Sequence, residues 1–183
     1  MRIKNSGDGF GLATRLLHWI IALLIIGLIW LGWYMVDLTY YDRWYNSSLS
    51  WHKSLGMLVL ALTLLKLGWQ LYTPAPAPAG SLQPWERSAA VTMHRLLFAM
   101  MLLIPATGYL ISTSDGKAVA VFGLFSFPAL FDIDTVLRDL AIDLHLYLAY
   151  ATAILLTAHA AAALKHQLID RDGTLKRMLW GRD

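Results

Sequence analysis

The hydrophobic positions of this chain fall into four long runs, and polar residues are concentrated in the connections between them. Each run extends over roughly 20 residues, the length at which an α-helix crosses the ~30 Å hydrocarbon core of a bilayer. We therefore predict four membrane-spanning helices at about residues 14–36, 52–72, 92–112 and 143–166. The remaining residues are too few for a separate soluble domain, so residues 1–183 are predicted to form one all-α membrane bundle.

The connections between these helices differ in composition. Residues 73–84 contain four prolines in twelve residues, which predicts an extended, semi-rigid linker. Residues 116–131 are apolar and aromatic but too short to span, so we expect a surface-lying or partly re-entrant segment that caps one end of the bundle. Residues 174–180 are predicted to form a short interfacial helix.

The composition agrees with a membrane protein and restricts its chemistry. The chain is 57% hydrophobic and 15% charged, with a mean hydropathy of +0.52. The first apolar run is too long for a signal peptide and lacks a cleavage site, so we expect it to be retained. The absence of cysteine excludes disulfides, thiolate-bound iron–sulfur clusters and covalently attached c-type heme.

The distribution of charge predicts the topology. The N-terminus, the second connection and the C-terminal tail hold eleven of the fifteen basic residues, which predicts that both termini are cytoplasmic. The two outer connections hold the other four basic residues against seven aspartates, so the outer face is expected to be net acidic. The net charge of +3 is then explained by contact with the cytoplasmic leaflet, and no nucleic-acid partner is expected.

Two histidines in the fourth helix are the main indication of function. His145 and His159 are fourteen residues apart in an otherwise apolar segment. In a helix this interval is about 21 Å long and ends only about 40° short of four full turns, so both rings leave the same face. Ionisable residues inside a membrane segment are functional candidates, and two in line suggest two stacked metal centres.

Each of these histidines needs a partner from another helix. At the outer depth the other histidine is His52, which makes the outer pair His52 and His145. At the inner depth His159 has two candidate partners, His18 and His94, and sequence depth does not separate them. A histidine near a helix end is, however, often only an interfacial polar residue.

Heme is the metal centre that fits two histidines per depth. Tetrahedral zinc takes four ligands, and its structural sites usually include cysteine. Heme iron needs two axial histidines, because the porphyrin supplies the other four nitrogens. Iron with both axial positions filled has no vacancy for oxygen, which predicts electron transfer. A heme-free membrane anchor or metal-ion carrier is the alternative class.

Several motifs together resemble those of one family. They are RLLHW at 15–19, WHKSLG at 51–56, MHR at 93–95, IPATGY at 104–109, VFGL at 121–124, and His145 followed by HAAAALKH at 159–166. In these motifs the chain resembles the bacterial cytochrome b561 family of di-heme, quinol-linked membrane cytochromes, over nearly its whole length.

This resemblance implies a ligand set and a function. It implies an outer heme b on His52 and His145 and an inner heme b on His18 and His159, with His94 not a ligand. It places a quinone site near His166 and Lys165 on the cytoplasmic side of the bacterial inner membrane. Electrons are then expected to pass between the quinone pool and a periplasmic donor or acceptor.

Some members of that family are superoxide oxidases that reduce ubiquinone. A positive outer surface would attract the superoxide anion, whereas the outer connections here are net acidic and suit a basic redox protein better. Arg43, Lys53 and Lys117 are the residues expected to form a local positive patch or to contact heme propionates at the outer site.

Overall fold

The computed structural model describes residues 2–7, 9–77 and 82–181 of the chain. It contains four long helices, α1 (Leu12–Val36), α2 (Tyr45–Tyr72), α3 (Pro84–Thr113) and α4 (Thr135–Leu168), and a short helix, α5 (Thr174–Leu179). Helix α1 packs on α2, α2 on α3, and α3 on α4. The middle of the proline-rich linker, residues 78–81, and the basic residue Arg182 lie outside the described ranges.

All four long helices are long and apolar enough to cross a membrane, which confirms the predicted helical membrane bundle. Many large apolar side chains face outward, among them Trp30, which is 70% exposed, and Ile154, which is 71% exposed. A surface this apolar has to be covered by lipid rather than water. Because consecutive helices run in opposite directions, both chain termini lie at one end of the bundle, called the terminal end here.

Three helices begin seven or eight residues earlier than predicted, because polar first turns extend them beyond the apolar runs. Helix α3 begins with Pro84 at its first position, behind a capping box in which the Gln83 N–H donates to Glu86 Oε2 at 3.0 Å. Helix α4 is capped by Asp134, whose Oδ1 accepts the Leu137 N–H at 2.8 Å. The length of an apolar run reports only the lipid-facing part of such helices.

The apolar third connection contains a β-hairpin, which the sequence analysis did not predict. Strand β1 (Val119–Val121) pairs antiparallel with β2 (Phe125–Phe127). Phe122 and Gly123 both have positive φ, at 52° and 69°, as a tight hairpin turn requires. The hairpin packs on α2 and α3, and the opposite end of the bundle from the termini is called the hairpin end here.

Two hydroxyl groups attach this connection to the helices. Ser54 Oγ on α2 accepts the Phe122 N–H at 2.9 Å. The Tyr109 hydroxyl on α3 donates to the Pro128 carbonyl at 2.6 Å and accepts the Leu130 N–H at 2.8 Å. The predicted capping segment is therefore held against the bundle by hydrogen bonds to α2 and α3.

At the terminal end, the predicted short helix forms and docks on α1. The Arg15 guanidinium donates to the Leu179 carbonyl at 2.7 Å, and Trp19 Nε1 donates to the Met178 carbonyl at 3.1 Å. Trp69 Nε1 on α2 donates to Thr14 Oγ1 on α1 at 2.9 Å. Side-chain hydrogen bonds thus join α1, α2 and α5 where the two termini meet.

Tyr109→Phe should loosen the third connection without disturbing the helices. The change removes two hydrogen bonds, each contributing about 0.5–1.5 kcal/mol, and should make local amide exchange at residues 129–131 roughly tenfold faster. Hydrogen–deuterium exchange read by mass spectrometry measures this. Tyr147→Phe is the matched control, because Tyr147 is 69% exposed on α4. Equal exchange in both variants would contradict the anchoring role.

Candidate functional site: two layers inside the bundle

The fourteen-residue interval found in α4 recurs in every long helix. It separates His18 from Gly32, His52 from Lys66, His94 from Gly108 and His145 from His159. Because fourteen residues return to nearly the same side of a helix, each helix contributes one member of each pair to the same face. From the sequence, the fourteen-residue interval was recognised in α4 alone, although it is present in all four long helices.

The first layer lies toward the hairpin end and consists of Gly32, His52, Gly108 and His145. The rings of His52 and His145 lie side by side, with centroids 6.1 Å apart and ring planes inclined at 66°. A Cβ atom built on Gly32 would lie 3.5 Å from His52 Cε1, and one built on Gly108 would lie 3.1 Å from His145 Cε1. Glycine at position 108 thus lets α3 approach His145 closely, whereas a side-chain Cβ at position 32 would only make ordinary van der Waals contact with His52.

The orientation of His145 is fixed by α3. Its Nδ1 donates to the Ile104 carbonyl at 3.1 Å, and Thr107 Oγ1 is also 3.1 Å from Nδ1. A carbonyl can only accept, so the proton is on Nδ1 and the lone pair is on Nε2. Metal-bound histidines are held by this kind of hydrogen bond to the second ring nitrogen.

The partner ring, His52, carries an unsatisfied nitrogen. Its Nδ1 is buried and has no hydrogen-bond partner within the described part of the chain. Leaving a polar atom buried and unpaired is costly. The hairpin-end layer therefore places the His145 ring, with its Nε2 lone pair, beside a His52 ring whose Nδ1 is unpaired.

The second layer lies toward the terminal end and consists of His18, Lys66, His94 and His159. The centroid of the His159 ring is 6.3 Å from that of His18 and 5.3 Å from that of His94. His94 is exposed. This layer brings together both of the candidate partners that sequence depth left open for His159.

The spacing of the rings tests whether they fit a heme iron. A metal about 2.1 Å from each of two opposed imidazole nitrogens places the ring centroids roughly 6.4 Å apart, since each centroid lies about 1.1 Å behind its nitrogen. The His52–His145 and His18–His159 distances, 6.1 and 6.3 Å, fit this arrangement. The His94–His159 distance of 5.3 Å is too short for it.

There is also room between the helices that carry these rings. Helix α4 packs closely on α3 and α5, whereas its pairs with α1 and α2 are not among the closely packed helix pairs of the described residues. His18 and His52 nevertheless reach its histidines. The imidazole pairs therefore join helices whose backbones stay apart, as insertion of a large planar ring requires.

Lys165 and His166 lie in a charged cluster at the end of α4. Lys165 Nζ is 2.7 Å from both Glu86 Oε1 and Asp170 Oδ2, and His166 Nδ1 is 2.7 Å from Asp170 and 3.3 Å from Asp172. Glu86, His166 and Asp170 offer ligand atoms within 4.8 Å of one another, but the Lys165 ammonium already supplies the cation there. The cluster ties α3 to the end of α4.

The three cations predicted for the outer site, Arg43, Lys53 and Lys117, do not share a partner within the described residues. The Arg43 guanidinium lies 5.3 Å from the Trp44 ring centroid, and Lys117 Nζ is 3.9 Å from Asp115. Lys53 is half-buried and forms no side-chain hydrogen bond or ion pair within the described ranges. Nearby, hydrogen bonds from Thr39 lower the pKa of the Asp42 carboxyl below its ordinary value, so this rim keeps its negative charge.

Comparison with known proteins identifies the family to which this chain belongs. A family model described as prokaryotic cytochrome b561 matches residues 9–181. Cytochrome b561 homolog 2 of Escherichia coli (strain K12) is 39% identical over 179 residues, covering 98% of this chain and 95% of that protein. Probable superoxide oxidase CybB of Yersinia pestis is 28% identical over 168 residues, covering 89% of this chain and 91% of that protein.

The matched range spans all four long helices. A second protein of Escherichia coli (strain K12), Cytochrome b561 homolog 1, is 28% identical over 128 residues, covering 70% of this chain and 72% of that protein. The chain therefore belongs to the prokaryotic cytochrome b561 family: it is a multi-pass electron-transfer protein of the bacterial inner membrane, and its family implies a b-type heme cofactor.

Proposed function

We propose that this protein carries electrons through two b hemes between the quinone pool and a donor or acceptor on the periplasmic side. In this proposal the terminal end is cytoplasmic and the hairpin end is periplasmic, as the distribution of basic residues predicts. The observation that supports it best is the matched spacing of two imidazole pairs, 6.1 Å for His52–His145 and 6.3 Å for His18–His159.

Each pair is proposed to hold one heme iron through its two imidazoles. Bound in this way, a heme supplies one-electron transfer and offers no open position to oxygen. Hydrogen bonding to Ile104 presents His145 Nε2 in the correct tautomer and keeps the ring from turning. Gly32 and Gly108 keep the hairpin-end layer free of side chains that would compete for space with a porphyrin.

On the terminal side we propose a quinone site at His166, seven residues after His159 and so on roughly the same face of α4. Quinone oxygens need hydrogen-bond donors in an apolar, lipid-accessible cleft. Lys165 was the other candidate, but its ammonium is bonded to Glu86 and Asp170. His166 Nδ1 lies 2.7 Å from Asp170 Oδ2 but makes no hydrogen bond within the described residues, and we propose Nε2 as the atom that meets the substrate.

On the hairpin side we propose that Lys53, next to ligand His52, meets a heme propionate, because heme carboxylates near a surface are usually paired with Lys or Arg. Arg43 and Lys117 are exposed and are the other candidate propionate contacts. The carboxylates of the same connections, rather than these cations, are proposed to meet an external partner, and they favour a basic redox protein.

Superoxide:ubiquinone oxidoreductase activity is the second candidate. A relative that shares 28% identity, from Yersinia pestis, is named a probable superoxide oxidase. Local charges weigh against it here, because Lys117 is paired with Asp115, Arg138 is paired with Asp139, and Asp42 stays ionised. Attraction of a small anion requires net positive charge around the site.

Counting hemes tests the proposed pairing. His52→Ala and His145→Ala should each lose the hairpin-end heme and keep the other, and His18→Ala should lose the terminal-end heme. His94→Ala should keep both hemes, because its ring lies too close to His159 for both to bind one iron from opposite sides. Pyridine hemochrome assay of the purified proteins, set against protein concentration, gives the number per chain.

Two results would change this pairing. If His94→Ala is the variant that loses one heme while His18→Ala keeps two, helix α3 supplies the partner of His159. If the unaltered protein contains no heme, electron transfer through these histidines is wrong, and the membrane-anchor or ion-carrier alternative gains support.

Gly108→Ala should damage the hairpin-end site specifically. The new methyl would lie 3.1 Å from His145 Cε1, and His145 cannot yield freely because Ile104 and Thr107 hold it. Overpacking of this kind costs about 1–3 kcal/mol, so occupancy of one heme should fall or its low-spin EPR signal should move. Gly27→Ala is the matched control, since its methyl meets nothing within 4 Å. Unchanged EPR signals in Gly108→Ala would refute the close seating.

Stopped-flow reduction, read at the heme absorption bands, separates the two candidate functions. Quinol should reduce the hemes, and His166→Leu should slow this about threefold to tenfold, the effect of one lost hydrogen bond, with both hemes retained. Gln167→Leu, on the neighbouring position of α4, should react normally. Superoxide should reduce the protein only at a salt-insensitive background rate. Fast reduction by superoxide that slows steeply with added salt would instead establish the oxidase activity.

A further inference from the structure

Lys66 occupies a place that the proposed electron-transfer pathway does not explain. It stands fourteen residues after His52 on α2, so it shares the inward face of that ligand and lies at the depth of the terminal-end layer. Its ammonium is close enough to His18 and His94 to interact electrostatically with both. Helix α2 thus contributes a cation to the terminal-end layer, beside the histidines of the other three helices.

This cation has no anionic partner among the described residues. Lys66 is half-buried in a membrane-spanning helix, and none of the salt bridges or side-chain hydrogen bonds found within the described ranges involves it. Among the acids described at this end, Glu86 and Asp170 are bonded to Lys165, and Asp172 lies 3.3 Å from His166. A charge held inside a membrane segment without a partner is costly, so such residues mark sites where a partner binds.

The two layers differ in a way that indicates what the partner is. At the hairpin end the two helix positions beside the imidazole pair are Gly32 and Gly108, which bring only backbone to the edge of a bound ring. At the terminal end the equivalent positions are Lys66 and His94, which bring an ammonium and an imidazole. A porphyrin held by His18 and His159 carries carboxylates on its own edge.

We propose that Lys66 pairs with a propionate of the terminal-end heme and thereby raises the reduction potential of that heme. This inference rests on the proposed function, since it requires a heme between His18 and His159. An ammonium at the edge of the ring offsets the negative charge of the propionate, and positive charge near the iron favours the reduced form. The more ordinary role for Lys66 is to extend its side chain to the lipid headgroups.

Potentiometric titration of the purified holoprotein distinguishes these roles. Lys66→Met should lower the reduction equilibrium constant of the terminal-end heme by about tenfold, as expected for one unit charge roughly 12 Å from a redox centre at an effective dielectric constant of about 20. Tenfold is about 59 mV for a one-electron couple. The terminal-end heme is identified as the one absent from His18→Ala, and the hairpin-end heme should shift less.

Two further variants separate charge from packing. Lys66→Arg keeps the charge, so the reduction equilibrium constant of the terminal-end heme should stay within about threefold of its original value. On a logarithmic scale, this change is less than half of that expected for Lys66→Met. Lys176→Met removes an exposed cation elsewhere at the terminal end and should change nothing. The propionate bending band in the resonance Raman spectrum should move in Lys66→Met and stay in place in Lys176→Met.

Each outcome of these measurements either supports or overturns the pairing of Lys66 with a propionate. Loss of the terminal-end heme in Lys66→Met but not in Lys66→Arg also supports the pairing, because arginine keeps the positive charge that methionine removes. Unchanged potentials in Lys66→Met with two hemes bound would overturn it, as would equal effects of the Met and Arg variants or an equal shift of both hemes. An unaltered protein without heme would overturn the proposed function together with this inference.

Discussion

The main constraint on this bundle is that imidazole rings meet across its interior from helices whose backbones stay apart. Helix α4 supplies one ring to each pair, and α1 and α2 supply the other two. The close backbone packing runs instead through α1–α2, α2–α3 and α3–α4. The bundle therefore depends on α3 to hold α4 in place, because the histidine pairs cannot pack their helices together directly.

Helix α3 meets this demand at both ends of α4. Near the hairpin end, Ile104 and Thr107 bind the His145 ring, and Gly108 lets the two helices approach. At the terminal end, Glu86 in the first turn of α3 accepts a hydrogen bond from Lys165 near the end of α4. These contacts explain how a helix that contributes no proposed ligand still decides the geometry of both layers.

The two histidine layers have different surroundings. Glycines flank the imidazole pair at the hairpin end, where the β-hairpin packs on α2 and α3. A lysine and a third histidine flank the pair at the terminal end, where α5 and the charged cluster close the bundle. Two chemically similar pairs in unlike environments can differ in potential, which is what directional electron transfer needs.

The sequence by itself determined the four helices, because a run of about 20 apolar residues has few stable alternatives in a bilayer. It also determined the in-line histidines of α4 and the pairing of His52 with His145, since these depend only on helical rise and depth. It did not determine the starts of α2, α3 and α4, where polar caps rather than apolar length set the boundary.

Sequence depth left His18 and His94 equivalent, because depth along the membrane carries no information on the distance between helices. The tertiary structure adds the distances from their ring centroids to that of His159, 6.3 Å for His18 and 5.3 Å for His94, which support His18 in the proposed pairing. The hairpin, the contacts of Gly32 and Gly108, and the position of Lys66 beside two histidines were likewise decided by packing. The fourteen-residue interval was present in all four helices of the sequence, but its meaning depended on which faces the bundle turns inward.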